Sequence, residues 1–390
     1  MIHSIFKLMW KRRKKNSIML IEMFVSFLLI FALSVMLLKN YLNFKQEKGF
    51  NYKYVSTLSI KFNGAAKTKE DKAKRRELVK LLQIELLSLS NVEYVSKTTS
   101  NVPYSMGMYG SHLKYGERES GSPNRVDTDS EYFNVLSIKP DKGRWFTEAD
   151  AGNKEIPIVI NGVLKDELFE NEPPLNKVIH SGKYKVVGIV NNFKIKGEYG
   201  KNSPTYFTLS EPSRIHNTFL IKTNNISLAT KNEILNTANA ITGNWSFKLK
   251  PLSDYRKENF RINWIPVLIF SGIAGFLIIN ILLGLVGLLL YNVKRRQQEI
   301  GLRQSVGATI TKIVWQFITE MQTLLTLSAI PAIIIAIQLP ILKAFGIENK
   351  VYILAIICTL VILYCLVTLC SLFPSLKAVK VPPAVALHEE

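Results

Sequence analysis

The sequence is 390 residues long, 47% hydrophobic and only 21% charged, with 50 Lys and Arg against 30 Asp and Glu, a formal net charge of +20. A chain this apolar excludes intrinsic disorder, and its length admits two or three domains. The apolar residues gather in four runs nearly empty of charge, which excludes a soluble enzyme as the starting expectation. Part of the positive charge lies beside those runs, where membrane topology places it, so the +20 does not call for a nucleic-acid partner.

Residues 1–16 begin with Ile2, Ile5, Phe6, Leu8, Met9 and Trp10 on a helical spacing and run into five consecutive basic residues, 11–15. That pattern predicts a short helix lying in the inner membrane interface, with a frayed basic terminus as the open alternative. The apolar runs are 17–38, 264–291, 313–338 and 351–373, with Glu22 and Glu320 as their only acids. Each is long enough to cross a hydrocarbon core of ~30 Å, for which ~20 helical residues suffice. The first run is longer than the ~7–15 apolar residues of a signal peptide and no small-residue cleavage site follows it, so an uncleaved anchor is expected.

Lys and Arg in short flanking loops set orientation. Residues 1–16 carry six of them. The loop after the second run carries Lys294, Arg295, Arg296, Arg303 and Lys312 against Glu299, and the tail adds Lys377 and Lys380. The loop after the third run has only Lys343 and Lys350 against Glu348. Both termini and the middle loop are therefore expected in the cytoplasm and 39–263 outside. The 35 basic and 24 acidic residues of 39–263 are no obstacle, because long domains translocate largely regardless of charge. Trp10, Trp264 and Trp315 fall at expected membrane–water boundaries.

Segment 39–263 reads as a mixture of strands and helices. Strands are predicted at 55–62, 92–97, 156–160, 184–190, 205–209, 219–222 and 247–252. Helices are predicted at 69–89, with an apolar face of Leu78, Leu82, Leu86 and Leu89, at 163–169, and at 227–241 behind a Ser227 cap. Residues 100–125 read as a loop-rich excursion, and a turn follows at 143–147. The junctions 39–50 and 253–263 look helical, which would extend the first span to about residue 48 as a stalk. The expected fold is a four-helix membrane protein with an inserted α+β extracytoplasmic domain. Its parts are an interfacial helix (1–16), a first span with stalk (17–38, to about 50), the outer domain (51–252), a stalk and second span (253–291), a cytoplasmic loop (292–312), two further spans (313–338 and 351–373) and a tail (374–390).

No reaction centre stands out. No P-loop pattern occurs, since Gly182-Lys183 lacks the upstream Gly and the following hydroxyl residue. The five His are scattered, and Cys358, Cys365 and Cys370 all lie in the last run, where they read as small packing residues. Neither a metal nor any other cofactor is therefore expected on this chain. Glu22 and Glu320 sit within about two turns of the cytoplasmic end of their spans. Pairing with the nearby basic clusters, or snorkelling, is the preferred reading over a proton relay.

The most informative stretch is 295–308, RRQQEIGLRQSVGA. It is amphipathic and lies between two spans. Glu299 and Arg303 are four apart and can pair, and Gly307 suits a helix stop. This stretch resembles the signature of FtsX-like permeases, the MacB-type superfamily of ABC transporter membrane subunits, at Arg296, Glu299, Ile300, Gly301, Leu302, Arg303, Ser305, Val306, Gly307 and Ala308. Glu320 falls where that family often has an acid, and the ending VPPAVAL (381–387) resembles its C-terminal pattern. The outer segment resembles a MacB-type periplasmic core domain at Tyr132-Phe133, at 143–146 (GRWF), 158–161, 168–169, 183–190 (KYKVVGIV) and 204–206.

The resemblance implies a permease that couples to an ATPase through Arg296, Glu299, Ile300, Gly301, Leu302, Arg303, Gly307 and Ala308. It departs from MacB itself, which carries the ATPase on the same chain. A separate cytoplasmic ATPase that binds the ATP is therefore implied. With four spans, a second copy or a sister permease is implied as well. The resemblance also implies work on a substrate outside the membrane. The alternative is a mechanical signal to an extracytoplasmic partner such as a cell-wall hydrolase or a sensor, with nothing transported.

Overall fold

The computed structural model describes residues 17–99, 101–105, 110–211, 213–295 and 297–379. The expectations for the 1–16 helix, for Arg296 and for the 381–387 ending lie outside the described residues.

In chain order the elements are α1 (Ser17–Lys45), β1 (Val55–Lys61), α2 (Lys69–Leu87), β2 (Val92–Thr98), β3 (Lys114–Tyr115), β4 (Arg118–Glu119), β5 (Asn124–Thr128), α3 (Tyr132–Leu136) and β6 (Lys142–Gly143). Then come β7 (Ile156–Asn161), α4 (Gly162–Phe169), β8 (Val178–Ile179), β9 (Tyr184–Val190), β10 (Thr205–Leu209), β11 (Thr218–Thr223), α5 (Leu228–Thr242) and β12 (Ser246–Pro251). Helices α6 (Leu252–Arg295), α7 (Gln297–Ser305), α8 (Ile310–Ile341) and α9 (Asn349–Val379) complete the described chain. Two compact units result. One holds the helices up to Tyr41 and from Trp264 onward, and the other is Leu42–Asn263.

The inserted unit is built on one mixed sheet in the order β12-β1-β11-β2-β5-β10-β7-β9-β6, with β8 on β9. Its first half, β12 to β2, is antiparallel and is covered by α2 and α5. Leu58, Ile60, Leu82, Leu86, Phe219, Ile221 and Ile234 form that core. The second half contains the parallel pairs β5/β10 and β7/β9, the latter joined by the crossover helix α4. Leu164, Leu168 and Phe169 of α4 pack on Ile158, Ile160, Val186 and Tyr206. A second apolar layer, with Tyr132, Trp145, Phe193 and Phe207, completes this half. The halves meet at β2 and β5, where a single residue pair, Thr98 and Thr128, is in register.

Local chemistry explains the helix starts. Thr68 and Asp71 form a reciprocal capping box on α2, and the hydrogen bonds from Thr68 hold the Asp71 carboxyl below its ordinary range. Ser227 accepts from the Thr230 amide at 3.1 Å and opens α5. Asn161 caps α4 through the Leu164 amide and at the same time takes the Thr205 amide, so one side chain ties β7, α4 and β10 together.

Three expectations change. The buried face of α2 is Val79, Leu82 and Leu86, with Leu78 only half-buried, because the sheet meets the helix about one position further round. The 100–125 excursion contains the β3–β4 hairpin and runs into β5, whose polar sequence NRVDT hid it. Its Asn124, Asp127 and Thr128 are buried and engaged in hydrogen bonds or ion pairs. The first helix closes at Lys45 and not near 48. The chain there bends out of the helix and takes the Lys194 amide on the Lys48 carbonyl at 2.9 Å. Gly49 then adopts φ +80°, and a Cβ there would stand 1.7 Å from the Asn192 carbonyl oxygen, so only glycine permits this approach.

Among the described residues, four helices are long and apolar enough to span a membrane: Ser17–Lys45, Leu252–Tyr291, Ile310–Ile341 and Asn349–Leu372. Helices α8 and α9 are antiparallel neighbours. Gln322 donates to Thr368 at 3.0 Å and Thr326 shares a 2.7 Å hydrogen bond with Tyr364, so a step of four up one helix matches a step of four down the other. Thr319, Thr323, Thr359, Ser371 and Ser375 donate to their own i−4 carbonyls, which satisfies hydroxyl groups where no water is available. Pro266, Pro331 and Pro340 lie within continuous helices.

Candidate coupling site

Helix α7 is nine residues long and is followed four residues later by the first turn of α8. Ile300 and Gly301 face inward, while Leu302 and Val306 are 58% and 82% exposed on the opposite side. Their four-residue spacing makes them a single apolar ridge. The helix stops as the sequence suggests. Gly307 has φ +92°, its amide reaches the Gln304 carbonyl at 3.0 Å, and the Ala308 amide reaches the Arg303 carbonyl at 2.9 Å. These two bonds are those of a Schellman stop, with glycine in the left-handed position.

Glu299 and Arg303 pair at 2.5 Å. The other Arg303 nitrogen donates to Gln316 of α8 at 3.0 Å, and Gln316 in turn donates to Glu320 at 3.5 Å. Glu320 is 2% exposed. A polar chain thus runs from the outer face of α7, through one turn of α8, to the acid inside the third span. Glu22 is half-buried in the first span beside Gly284 of α6, where an added Cβ would lie 3.6 Å from the carboxylate. The structure therefore brings Glu299, Arg303 and Glu320 into one relay. Ile300, Gly301, Leu302, Gly307 and Ala308 form its helix and its stop, and Glu22 lies apart from the bonds described here. Gln316 was missed by sequence reasoning, although Gln316 and Glu320, four apart in an otherwise apolar run, carry the signal for it.

The inserted unit holds a second cluster that sequence reasoning missed. Lys194 is fully buried, and its ammonium donates to the carbonyls of Asn43 at 2.6 Å and Glu198 at 2.8 Å. The Glu198 carboxylate accepts from Arg256 at 2.7 Å, from Lys48 at 3.3 Å and from the Tyr104 hydroxyl at 3.3 Å. Asn43 is in the last turn of α1, and Arg256 is in the second turn of α6. One loop, 194–198, thereby clamps the ends of two helices. Burial lowers the Lys194 ammonium to about 8 against the pull of Glu198. Burial raises the Glu198 carboxyl, but the Arg256 hydrogen bond and the Lys48 and Arg256 charges outweigh it and leave it below its usual range. The partners are up to 151 positions apart in the chain, so no local pattern announces them.

The family models agree with this architecture. The family model of the MacB-like periplasmic core domain matches residues 25–239, more than half of the chain, and the FtsX-like permease C-terminal model matches 257–383. The chain belongs to the FtsX-like, MacB-type permeases. An ABC transporter permease of Bacillus subtilis, YvrN, is 25% identical over 301 residues, covering 69% of this chain and 70% of that one. The macrolide export ATP-binding/permease protein MacB of Aggregatibacter actinomycetemcomitans is 25% identical over 259 residues. That match covers 64% of this chain but only 39% of MacB. The crystal structure of the periplasmic region of MacB from Actinobacillus actinomycetemcomitans aligns with 56% of this chain and 96% of that one, at 17% identity and a TM-score of 0.39. This permease is accordingly a membrane protein of four apolar helices with an extracytoplasmic domain inserted after the first.

Proposed function

We propose that this permease is the membrane subunit of an ABC transporter whose ATP is bound and hydrolysed by a separate cytoplasmic subunit docked on α7. The observation that carries the reading is the α7 geometry: an exposed Leu302–Val306 ridge, held by a glycine stop and tied through Arg303 and Gln316 to Glu320. A rigid helix presenting an apolar ridge between charged flanks fits the groove of a partner protein. The basic short loops support a cytoplasmic side of the inner membrane for both termini and α7, with Leu42–Asn263 outside. A second copy, or a sister permease, would complete a two-fold assembly around two ATPases. ATPase closure would press on α7, and the long helices α1 and α6 would carry the displacement outward to export or extract a substrate from the periplasm or outer leaflet.

A second reading draws on the Glu198 clamp. Because that clamp grips the ends of α1 and α6 inside the inserted unit, a movement of the helices could be delivered to an extracytoplasmic partner with nothing crossing the membrane. Reconstitution with the ATPase co-purified from the native host tests the docking. Gly301→Trp, or the double reversal Glu299→Arg with Arg303→Glu, is expected to leave the chain inserted and to reduce ATPase stimulation about tenfold, ~1.4 kcal/mol of coupling. Normal stimulation in both variants would remove α7 from the mechanism. Protease sites engineered at residues 115 and 300 are expected to be cut from outside and from inside respectively, and the converse result would invert the topology.

A further inference from the structure

The seam between the two halves of the extracytoplasmic sheet contains a cavity of about 430 Å³ lined in part by Phe62, Arg75, Thr99, Arg125, Asp127 and Arg214. Arg75 and Phe62 belong to the first half, Arg125 and Asp127 to the second, and Arg214 to the loop that joins β10 to β11. Asp127 is 4% exposed, and both its oxygens are taken. Arg125 bonds one of them at 2.6 and 2.7 Å, and Arg214 the other at 2.7 Å. Arg75 donates to the carbonyls of Gly64 at 2.7 Å and Asn63 at 3.2 Å, and its guanidinium stands 5.0 Å from the Phe62 ring centre. All three guanidinium groups are thus held in place by protein acceptors, yet only one carboxylate lines the cavity with them. The lining of the cavity therefore carries three guanidinium groups and one carboxylate, an excess of two positive charges.

The neighbouring cavity, which shares Arg214, is balanced, lined by four basic and four acidic residues. A positive field is also felt nearby. His216, buried and bonded to Ser210 at 2.8 Å, has its imidazole pulled down to about 4, first by burial and then by the charges of Lys97 and Arg214.

Fixed guanidinium groups with N–H donors to spare recognise oxyanions, because the donors are oriented in advance and cost little to order. A carboxylate offers two oxygens, and Asp127 shows how two guanidinium groups exhaust them. Three groups converging from separate elements suit a tetrahedral anion with more oxygens. We propose that this seam is a binding site for a phosphate group, gripped by Arg75 on one half of the sheet and by Arg125 and Arg214 on the other. Occupancy would draw the two halves together across the short β2–β5 pairing. Free phosphate compounds and phosphate-bearing lipid headgroups share this chemistry.

The test uses the full chain in dodecyl maltoside, free of phosphate, titrated calorimetrically with inorganic pyrophosphate and, separately, with monomeric dihexanoyl phosphatidylglycerol. Saturable binding of pyrophosphate assigns the site to soluble phosphates, and binding of the lipid alone assigns it to headgroups. In either case Arg75→Gln should weaken binding about tenfold, one guanidinium–oxyanion contact. Arg75 donates to backbone carbonyls and stands over a ring, and the acid whose charge it feels, Asp71, is exposed, so its loss leaves no buried acid unpaired. Asp127→Asn should tighten binding, since it raises the local charge, and added NaCl should weaken it. No saturable binding tighter than ~1 mM with either probe, or binding indifferent to Arg75→Gln and Asp127→Asn in variants that melt like the parent, would overturn the proposal.

Discussion

Phe207 of β10 and Phe276 of α6 are the same residue type under opposite rules. Phe207 has no exposed surface and lies 4.7 Å from Phe193, 5.1 Å from Trp145 and 5.8 Å from Tyr132, measured between ring centres. Phe276 is 65% exposed, in a span of which only 22% is buried by the chain itself. The extracytoplasmic domain hides its apolar residues in its own cores and leaves charge outside. The membrane helices turn many of theirs outward and satisfy many of their hydroxyl groups with their own backbone, because lipid supplies no hydrogen bonds. The difference teaches that stability in the first unit rests on packing complementarity, and in the second on the surrounding solvent.

The largest expected effect separates the two directly. Phe207→Ala removes a ring from a closed cluster and should cost ~3–5 kcal/mol, read as a lowered unfolding midpoint of the extracytoplasmic domain within the full chain. Phe276→Ala should change thermal stability in detergent or lipid by less than about 0.5 kcal/mol. Equal losses at both positions would mean that α6 packs against protein rather than lipid at Phe276.

Acid gives the next effect. His216 stays neutral in the fold down to about 4, whereas an unfolded chain takes up the proton near 6.5. The unfolded state therefore binds more protons between those values, and stability should fall as pH drops from about 6.5 to about 4, by ~3 kcal/mol at most. His216→Gln keeps a hydrogen-bonding side chain opposite Ser210 without the titration. Its unfolding midpoint should vary less with pH over that window than the parent's, and an unchanged slope would assign the acid sensitivity elsewhere.

Smaller still is the clamp at Glu198. Glu198→Gln removes the charge that faces Arg256 and Lys48. Breaking a fully buried pair costs ~3–5 kcal/mol, but Arg256 is 42% exposed and can turn to water, so ~2 kcal/mol is expected. The informative readout is protease sensitivity at 42–50 and 252–263. If the clamp fixes the helix ends, cleavage there should rise before the rest of the domain opens. Melting of the domain as a whole, with no early cleavage, would reduce Glu198 to an ordinary stabilising contact.

The two regions also differed in how plainly their sequences spoke. All four spans, the strands at 184–190 and 205–209 and the Ser227 cap were readable, because hydropathy, alternation and capping are local signals. Strand β5 was not, since NRVDT is polar. Its burial depends on partners 31 to 87 positions away, such as Lys97, Thr205 and Arg214. The same physics hid the Glu198 clamp, whose charges look like solvated surface until the fold assembles them. At α7 the Glu299–Arg303 pair and the Gly307 stop were legible from spacing. The link through Gln316 was not, because it crosses between two helices.

The smallest expected effect tests that stop. A Cβ on Gly307 would meet no atom within 4 Å, so Gly307→Ala introduces no clash, and its cost is the backbone strain of φ +92° in a residue with a side chain. That strain is ~1 kcal/mol. It acts on a nine-residue helix that has few other means of ending, so the last turn of α7 should loosen and Arg303 should lose its hold on Gln316. If the proposed ATPase docks on α7, a penalty of this size corresponds to about a fivefold fall in ATPase stimulation, with insertion unchanged and thermal stability lowered by no more than ~1 kcal/mol. Gly284→Ala supplies the contrast from the membrane side. Its new methyl would sit 3.6 Å from Glu22, an ordinary contact at an unstrained helical position, and should leave stimulation within about twofold. If Gly307→Ala is as silent as Gly284→Ala, the conformation of the stop is not what holds the ridge in place. The Arg303–Gln316 link alone would then carry the alignment of α7 on α8.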